Sequence, residues 1–143
     1  MRVYFDTSAL VPLYVPEALS SLAVERLTGA EAVYVSWLTE VEVASALALK
    51  TRTGTLSPDE ARSVLRAYRS HVGSGAYEVL PVTREVFSYA GDLLRRLETP
   101  LRTLDALHLA CCQRFELTLL TADDGLARSA AHFGIPYERL GPA

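Results

Sequence analysis

The chain has 143 residues, half of them apolar, and a formal net charge of −3 at pH 7. This length and composition predict one folded domain over residues 1–143, argue against disorder, and leave no global positive field to attract nucleic acid. No apolar run approaches the about 20 residues that span a bilayer, and no basic leader precedes the first strand, so we expect a cytoplasmic protein without a membrane partner.

Strand and helix patterns alternate from the first residues onward. Val3, Tyr4 and Phe5 are β-formers without a polar break, as in a strand buried on both faces. Apolar residues at helical spacing follow and stop at Gly29. A second strand is predicted over residues 32–36, and a helix from about residue 38 to near residue 54.

The second half of the chain continues the alternation. Ser57, Pro58 and Glu60 are typical of a helix start, and that helix should end before residue 73. The remaining predicted elements are a strand at 77–82, a helix at 83–98, a helix at 104–115 capped by Thr103, a strand at 117–121, a helix at 123–134 and a short edge strand at 135–137. This order favours a mainly parallel sheet with helices on both faces.

Four acids follow strands or begin helices in this scheme. Asp6 ends the first strand, and Asp123 follows the strand at 117–121. Glu42 is expected in the first turn of one helix and Asp105 in the first turn of another. In a parallel sheet, the carboxyl ends of strands and the first turns of the following helices share one edge. The four carboxylates are therefore predicted to converge.

Each acid taken alone also suits a structural role. Asp6 could be a turn residue, Glu42 could form a capping box with Thr39, Asp105 could oppose a helix dipole, and Asp123 could cap a helix. Four carboxylates packed together, however, would repel one another, and some would take up protons. A hard divalent cation relieves that repulsion, and Mg2+ or Mn2+ prefers oxygen ligands.

Four blocks surround these acids in chain order. They are Asp6-Thr7-Ser8-Ala9-Leu10, Ser36-x-x-Thr39-x-x-Glu42, Leu104-Asp105-Ala106-Leu107-His108-Leu109-Ala110 and Leu120-Thr121-Ala122-Asp123. Together they resemble the signature blocks of PIN-domain proteins. Within that family the sequence looks most like the VapC-type toxin ribonucleases of prokaryotic toxin–antitoxin pairs.

The resemblance implies a three-layer α/β/α fold around a central, mainly parallel sheet of four or five strands. It also implies Mg2+- or Mn2+-dependent endonuclease activity on RNA, with a cognate VapB-type antitoxin and a homodimer as partners. By motif position, the catalytic and metal-binding acids are Asp6, Glu42, Asp105 and Asp123. Thr7 and Thr121 match the hydroxyl positions that support the metal or its water.

Two neighbouring acids compete for places in the quartet. Glu40 precedes Glu42 by two residues, but residues two apart diverge on a helix, so we retain Glu42. Asp124 directly follows Asp123 and stays an auxiliary candidate. Arg102, just before the Asp105 helix, suits contact with a substrate phosphate and equally suits a solvated loop.

Other polar and aromatic residues have simpler interpretations. The apolar neighbours of His108 favour a packed, hydrogen-bonded histidine over a ligand. Arg62, Arg66 and Arg69 recur at helical spacing and could guide RNA or meet an acidic partner, but we favour a solvated face. We interpret Trp37 as a core or interface residue.

Two other functions fit parts of this pattern. A PIN-like module that binds RNA or protein without cutting would be expected to lack part of the quartet, yet all four acids are present. A receiver domain that accepts phosphate would want a lysine near the acids. The only lysine, Lys50, lies at the far end of its helix, and Asp105 begins a helix where a receiver aspartate would end a strand.

Overall fold

A five-stranded, wholly parallel sheet forms the centre of the protein in the computed structural model, which describes residues 1–142. The strands are β1 (Arg2–Phe5), β2 (Ala32–Ser36), β3 (Glu78–Leu80), β4 (Thr118–Thr121) and β5 (Tyr137–Arg139). Their order across the sheet is β3-β2-β1-β4-β5.

Seven α-helices cover the sheet in the described part of the chain. They are α1 (Thr7–Leu10, continued by a 3-10 turn at Val11–Leu13), α2 (Ser20–Gly29), α3 (Trp37–Arg52), α4 (Pro58–Gly73), α5 (Arg84–Arg95), α6 (Thr103–Phe115) and α7 (Asp124–His132). Within residues 1–142, none of the helices combines the length and the apolar character that crossing a bilayer requires.

The two faces of the sheet carry separate apolar cores. Tyr4 and Leu119 pack with α5, α6 and α7, whereas Val3, Phe5 and Leu120 pack with the helices from α1 to α4. Side chains alternate between the faces because a strand has a period of two residues. The predicted three-layer α/β/α fold is confirmed, with five strands in the sheet.

The strand order creates a crevice beside β1. From β1 the chain builds one half of the sheet through β2 and β3, and the other half through β4 and β5. Phe5 pairs with Leu120, and the Asp6 amide donates to the Leu120 carbonyl at 3.1 Å. Open α/β sheets bind ligands at such a reversal of strand order, outside the carboxyl ends of the strands.

Several element limits differ from those predicted. Strand β3 ends at Leu80, because Pro81 has no amide hydrogen to continue the ladder. Helix α5 ends at Arg95, since Leu97 adopts a left-handed conformation with φ 57°. Strand β5 begins at Tyr137, two residues later than expected.

Leu119→Ala should lower the free energy of unfolding by about 2–5 kcal/mol, because it empties a fully buried position in a central strand. Leu97→Ala is the matched control. Leu97 is 88% exposed, so its truncation should change stability by less than about 0.5 kcal/mol. Urea denaturation followed by circular dichroism measures both, and equal losses would contradict this placement of the core.

Candidate active site

The Asp6 carboxylate lies just beyond β1 and is held by three donors. Its Oδ1 accepts hydrogen bonds from Ser8 Oγ at 2.7 Å and the Ala9 amide at 3.1 Å, and its Oδ2 accepts one from Thr121 Oγ1 at 2.8 Å. The residue is only 5% exposed. Burial raises the pKa of Asp6 above its ordinary value, and the bonds from Ser8 and Thr121 oppose this shift without cancelling it.

Hydroxyl groups join the end of β1 to the end of β4. Thr121 Oγ1 donates to Asp6 and accepts from the Asp123 amide at 3.0 Å. Ser8 Oγ donates to Asp6 and accepts from the Ala122 amide at 2.8 Å. Ser8 is a site residue that the sequence pattern did not reveal, since its partner Ala122, just after β4, is 114 positions away.

Glu42 lies in the second turn of α3, so its predicted position in the first turn is wrong. The helix begins at Trp37, with Ser36 as its N-cap. The Ser36 amide donates to Thr39 Oγ1 at 3.0 Å, which places Thr39 at the third helical position. The alternative of a capping box between Thr39 and Glu42 is therefore wrong, and the Glu42 carboxylate is free for other contacts.

The Glu42 carboxylate instead contacts α1 and α6. Its Oε1 accepts a hydrogen bond from Thr7 Oγ1 at 3.1 Å and contacts His108 Nε2. His108 is 2% exposed, and its Nδ1 lies 2.6 Å from Tyr4 Oη. The predicted packed and hydrogen-bonded histidine is confirmed. Its partner Glu42, 66 positions away, was not foreseen.

Asp105 and Asp123 line one cavity of about 260 Å³, together with Arg102. Asp105 lies in the first turn of α6, as predicted, and is partly buried. Burial and then the charge of Asp123 raise the pKa of Asp105, and Glu42 adds to this repulsion. Asp123 caps α7 by accepting from the Leu126 amide at 3.1 Å, so its structural role is confirmed alongside its place at the cavity.

The four acids share one edge of the sheet but are not gathered around one point. Among residues 1–142, no three side chains of His, Cys, Asp or Glu stand close enough together to hold a metal ion as they are placed. The predicted convergence is correct only for the edge, because Glu42 turns to His108 and Asp123 turns to its own helix.

The donor chemistry of the edge nevertheless fits Mg2+ or Mn2+. Carboxylate and hydroxyl oxygens are the ligands that these hard cations prefer. Asp6 and Asp105 have raised pKa values because burial, and for Asp105 also the charge of Asp123, disfavours the ionised form more than the chain's own donors and charges favour it. A bound cation would supply that compensation.

The two competing acids are both ion-paired elsewhere. Glu40 Oε1 lies 3.5 Å from Arg69 Nη2, so Glu40 faces α4 and diverges from Glu42 as expected. Asp124 pairs with Arg139 of β5, and the hydrogen bond from this guanidinium lowers the pKa of Asp124. Neither pair belongs to the cavity between Asp105 and Asp123.

Trp37 and two arginines of α4 lie at the surface of the protein. Trp37 is 59% exposed, so its interpretation as a core residue is wrong and that of an interface residue stays a prediction. On α4, Arg62 pairs with Asp59 at 3.0 Å, and Arg69 is 77% exposed. These features agree with a solvated face.

Comparisons with known proteins identify the same architecture. Residues 3–131 match the family model of the PIN domain. Ribonuclease VapC45 of Mycobacterium tuberculosis is 37% identical over 108 residues, which cover 76% of this chain and 72% of that protein.

Two solved structures share the fold at lower identity. A toxin–antitoxin complex from Klebsiella pneumoniae matches with a TM-score of 0.68 and 20% identity, over 99% of each chain. VapC20 of Mycobacterium tuberculosis, described as a sarcin–ricin loop cleaving toxin, matches with a TM-score of 0.69 and 18% identity, over 89% of this chain and 94% of its own.

Asp105→Asn should raise the melting temperature in EDTA at pH 7. The pKa of Asp105 is raised in the folded state, so its ionised form costs stability above that pKa. Because the side chain is only partly buried and is screened by solvent, we expect a gain of at most about 1 kcal/mol, or about 2–4 °C.

The gain should shrink as the pH falls towards the ordinary aspartate pKa of 3.8, below which the carboxyl is protonated in both the folded and the unfolded state. Asp92→Asn is the control, because Asp92 is exposed and paired with Arg95 on the surface of α5. Scanning calorimetry at several pH values measures both variants. A loss of stability in Asp105→Asn, or a gain that does not depend on pH, would contradict this description of the site.

Proposed function

Because the chain belongs to the PIN-domain family, we propose that it is a Mg2+- or Mn2+-dependent endoribonuclease and the toxin of a VapBC-type toxin–antitoxin pair. The observation that carries the proposal is the desolvated Asp6 carboxylate at the β1–β4 crevice, on the same edge as three further acids. Ribonuclease VapC45, which is 37% identical, supports the same activity.

The metal would be held by Asp6, Asp105 and Asp123, with Glu42 as the fourth acid. When bound, Mg2+ supplies the acidity that activates a water molecule and the charge that polarises a phosphodiester. The chain fixes its own oxygens for this purpose. Asp6 Oδ1 has two donors and Oδ2 has one, so Oδ2 keeps a lone pair free for a ligand.

Arg102 is the group best placed to receive the substrate. It is exposed, it precedes α6, and it lines the cavity beside Asp105 and Asp123. Carboxylates alone would repel a phosphodiester, whereas a guanidinium binds phosphate oxygens in a bidentate way. In this proposal Arg102 draws the RNA backbone to the acidic edge, and the acids act once their charge is compensated.

Two protein partners belong to the proposal. An antitoxin would cover the acidic cavity, where a basic side chain could compensate the charges of Asp105 and Asp123. A second copy of the chain would pack on the apolar face of α3, where Trp37, Val41 and Leu49 are all more than half exposed. With cellular RNA as the proposed substrate, we propose a cytoplasmic location for this activity.

One observation favours a second candidate function. Since no three acids stand at metal-binding distance within the described residues, a PIN-like module that binds RNA or protein without cutting is the alternative. Such a module would bind RNA equally well in Mg2+ and in EDTA.

Asp6→Asn should reduce RNA cleavage on the order of 100-fold or more, because it removes a proposed metal ligand from a reaction in which the metal contributes several kcal/mol. Cleavage of labelled RNA in Mg2+, Mn2+ and EDTA measures the effect. Asp92→Asn, the same exchange at an exposed site, should leave the rate unchanged. Undiminished cleavage by a folded Asp6→Asn protein would sink the assignment.

Arg102→Ala should raise KM for RNA about 10-fold and leave kcat nearly unchanged, since a charge-assisted contact to phosphate is lost. Arg62→Ala on α4 is the control, because Arg62 pairs with Asp59 away from the cavity. Equal KM values for the two variants in steady-state kinetics would remove Arg102 from the substrate site.

A further inference from the structure

A buried chain of polar side chains runs from the sheet to Glu42. Ser36 Oγ lies 2.9 Å from Tyr4 Oη, Tyr4 Oη lies 2.6 Å from His108 Nδ1, and His108 Nε2 contacts Glu42 Oε1. Ser36, Tyr4 and His108 are all at most 2% exposed. This series of side-chain contacts thereby links β2, β1, α6 and α3.

The hydrogen bonds of this series can all be assigned in the same direction, from Ser36 towards Glu42. Burial raises the pKa of Tyr4 well above its ordinary value, so the phenol keeps its proton and is a donor. Placing the imidazole proton on Nε2 lets Ser36 donate to Tyr4, Tyr4 donate to Nδ1, and Nε2 donate to Glu42. Every buried polar atom in the series then has a partner.

The two carboxylate oxygens of Glu42 differ in their contacts. Oε1 receives both His108 Nε2 and Thr7 Oγ1, which occupy its two lone pairs. No hydrogen-bond donor in residues 1–142 is directed at Oε2. The side chain of Glu42 is 22% exposed, so Oε2 remains the oxygen available to a ligand.

We infer that His108 is a positioning residue, which fixes the Glu42 carboxylate so that Oε2 is presented to the metal and its water. This inference rests on the proposed function. A free glutamate has three rotatable side-chain bonds, and ordering it when a ligand binds costs conformational entropy. His108 imposes that order during folding. Donors behind a ligating group commonly orient it in this way.

Placement on α6 makes His108 suited to this role. It lies three residues after Asp105, on the same side of the helix. A single rigid helix thus carries one proposed ligand and the group that orients another ligand on α3. A histidine that only filled the core would need no particular donor towards Glu42.

Two substitutions of His108 test the contacts of its two ring nitrogens separately. In His108→Gln the amide nitrogen can occupy the place of Nε2, which preserves a donor to Glu42. In His108→Asn the amide lies at the place of Nδ1, which preserves the contact with Tyr4 and loses the one with Glu42. Both variants leave a cavity and a polar group in the same buried site, so a purely structural role would affect them alike.

The experiment measures Mn2+ affinity without RNA by electron paramagnetic resonance, and kcat and KM for RNA cleavage. His108→Asn should weaken Mn2+ binding and lower kcat by about 10- to 100-fold, with KM for RNA little changed. His108→Gln should recover most of both losses. In a Glu42→Gln background, His108→Asn should have no further effect on Mn2+ affinity.

Equal Mn2+ affinities and kcat values for folded Asn and Gln variants would overturn the role of His108. An effect of His108→Asn that persists in the Glu42→Gln background would overturn it as well. If His108→Asn does not fold, Tyr4→Phe replaces it in the experiment. This substitution keeps the His108 imidazole but removes the Tyr4 hydroxyl that orients it. Unchanged Mn2+ affinity in Tyr4→Phe would count against the inference. Wild-type protein that neither binds Mn2+ nor cleaves RNA would overturn the proposed function itself.

Discussion

The burial of one charged carboxylate, Asp6, is the constraint on which the site depends. Removing a carboxylate from water is costly unless donors compensate it. Ser8, the Ala9 amide and Thr121 provide this compensation, and in doing so they tie the end of β1 to the end of β4. The donors do not cancel the cost, because the pKa of Asp6 remains raised. The crevice therefore retains a charge that the chain's own donors compensate only in part and that a cation would stabilise.

Glu42 and Asp123, like Asp6, are held by hydrogen bonds from other parts of the chain. Glu42 and Asp123 each use one oxygen for contacts with the chain itself, Glu42 with Thr7 and His108 and Asp123 with the first turn of α7. Asp105 faces the cavity with its pKa raised by burial and by Asp123. Contacts within the chain thus hold the carboxylates of Asp6, Glu42 and Asp123 in place, and each keeps a lone pair that no donor among residues 1–142 occupies.

Local signals explain why the fold and the placement of the four acids at one edge of the sheet were predictable. Apolar strands such as Val3–Phe5 end in polar residues, and the first turns of helices are marked by capping residues. The network behind the acids was not predictable, because Tyr4 and His108 are 104 positions apart and meet only through the packing of α6 on the sheet. The turn that holds Glu42 was misplaced because Ser36 is both the last residue of β2 and the N-cap of α3, so the helix begins at Trp37, earlier than its expected start near residue 38.

A crystal structure of the protein soaked in Mn2+, with anomalous diffraction recorded at the manganese edge, is the most direct test of a metal site at this edge. The expected result is an anomalous peak beside the carboxylates of Asp6, Asp105 and Asp123, with Glu42 turned to it through Oε2. The assignment would be contradicted if a saturating Mn2+ concentration produced no anomalous peak at this edge, or a peak only elsewhere on the surface. That result would favour a module that binds RNA or protein without cutting.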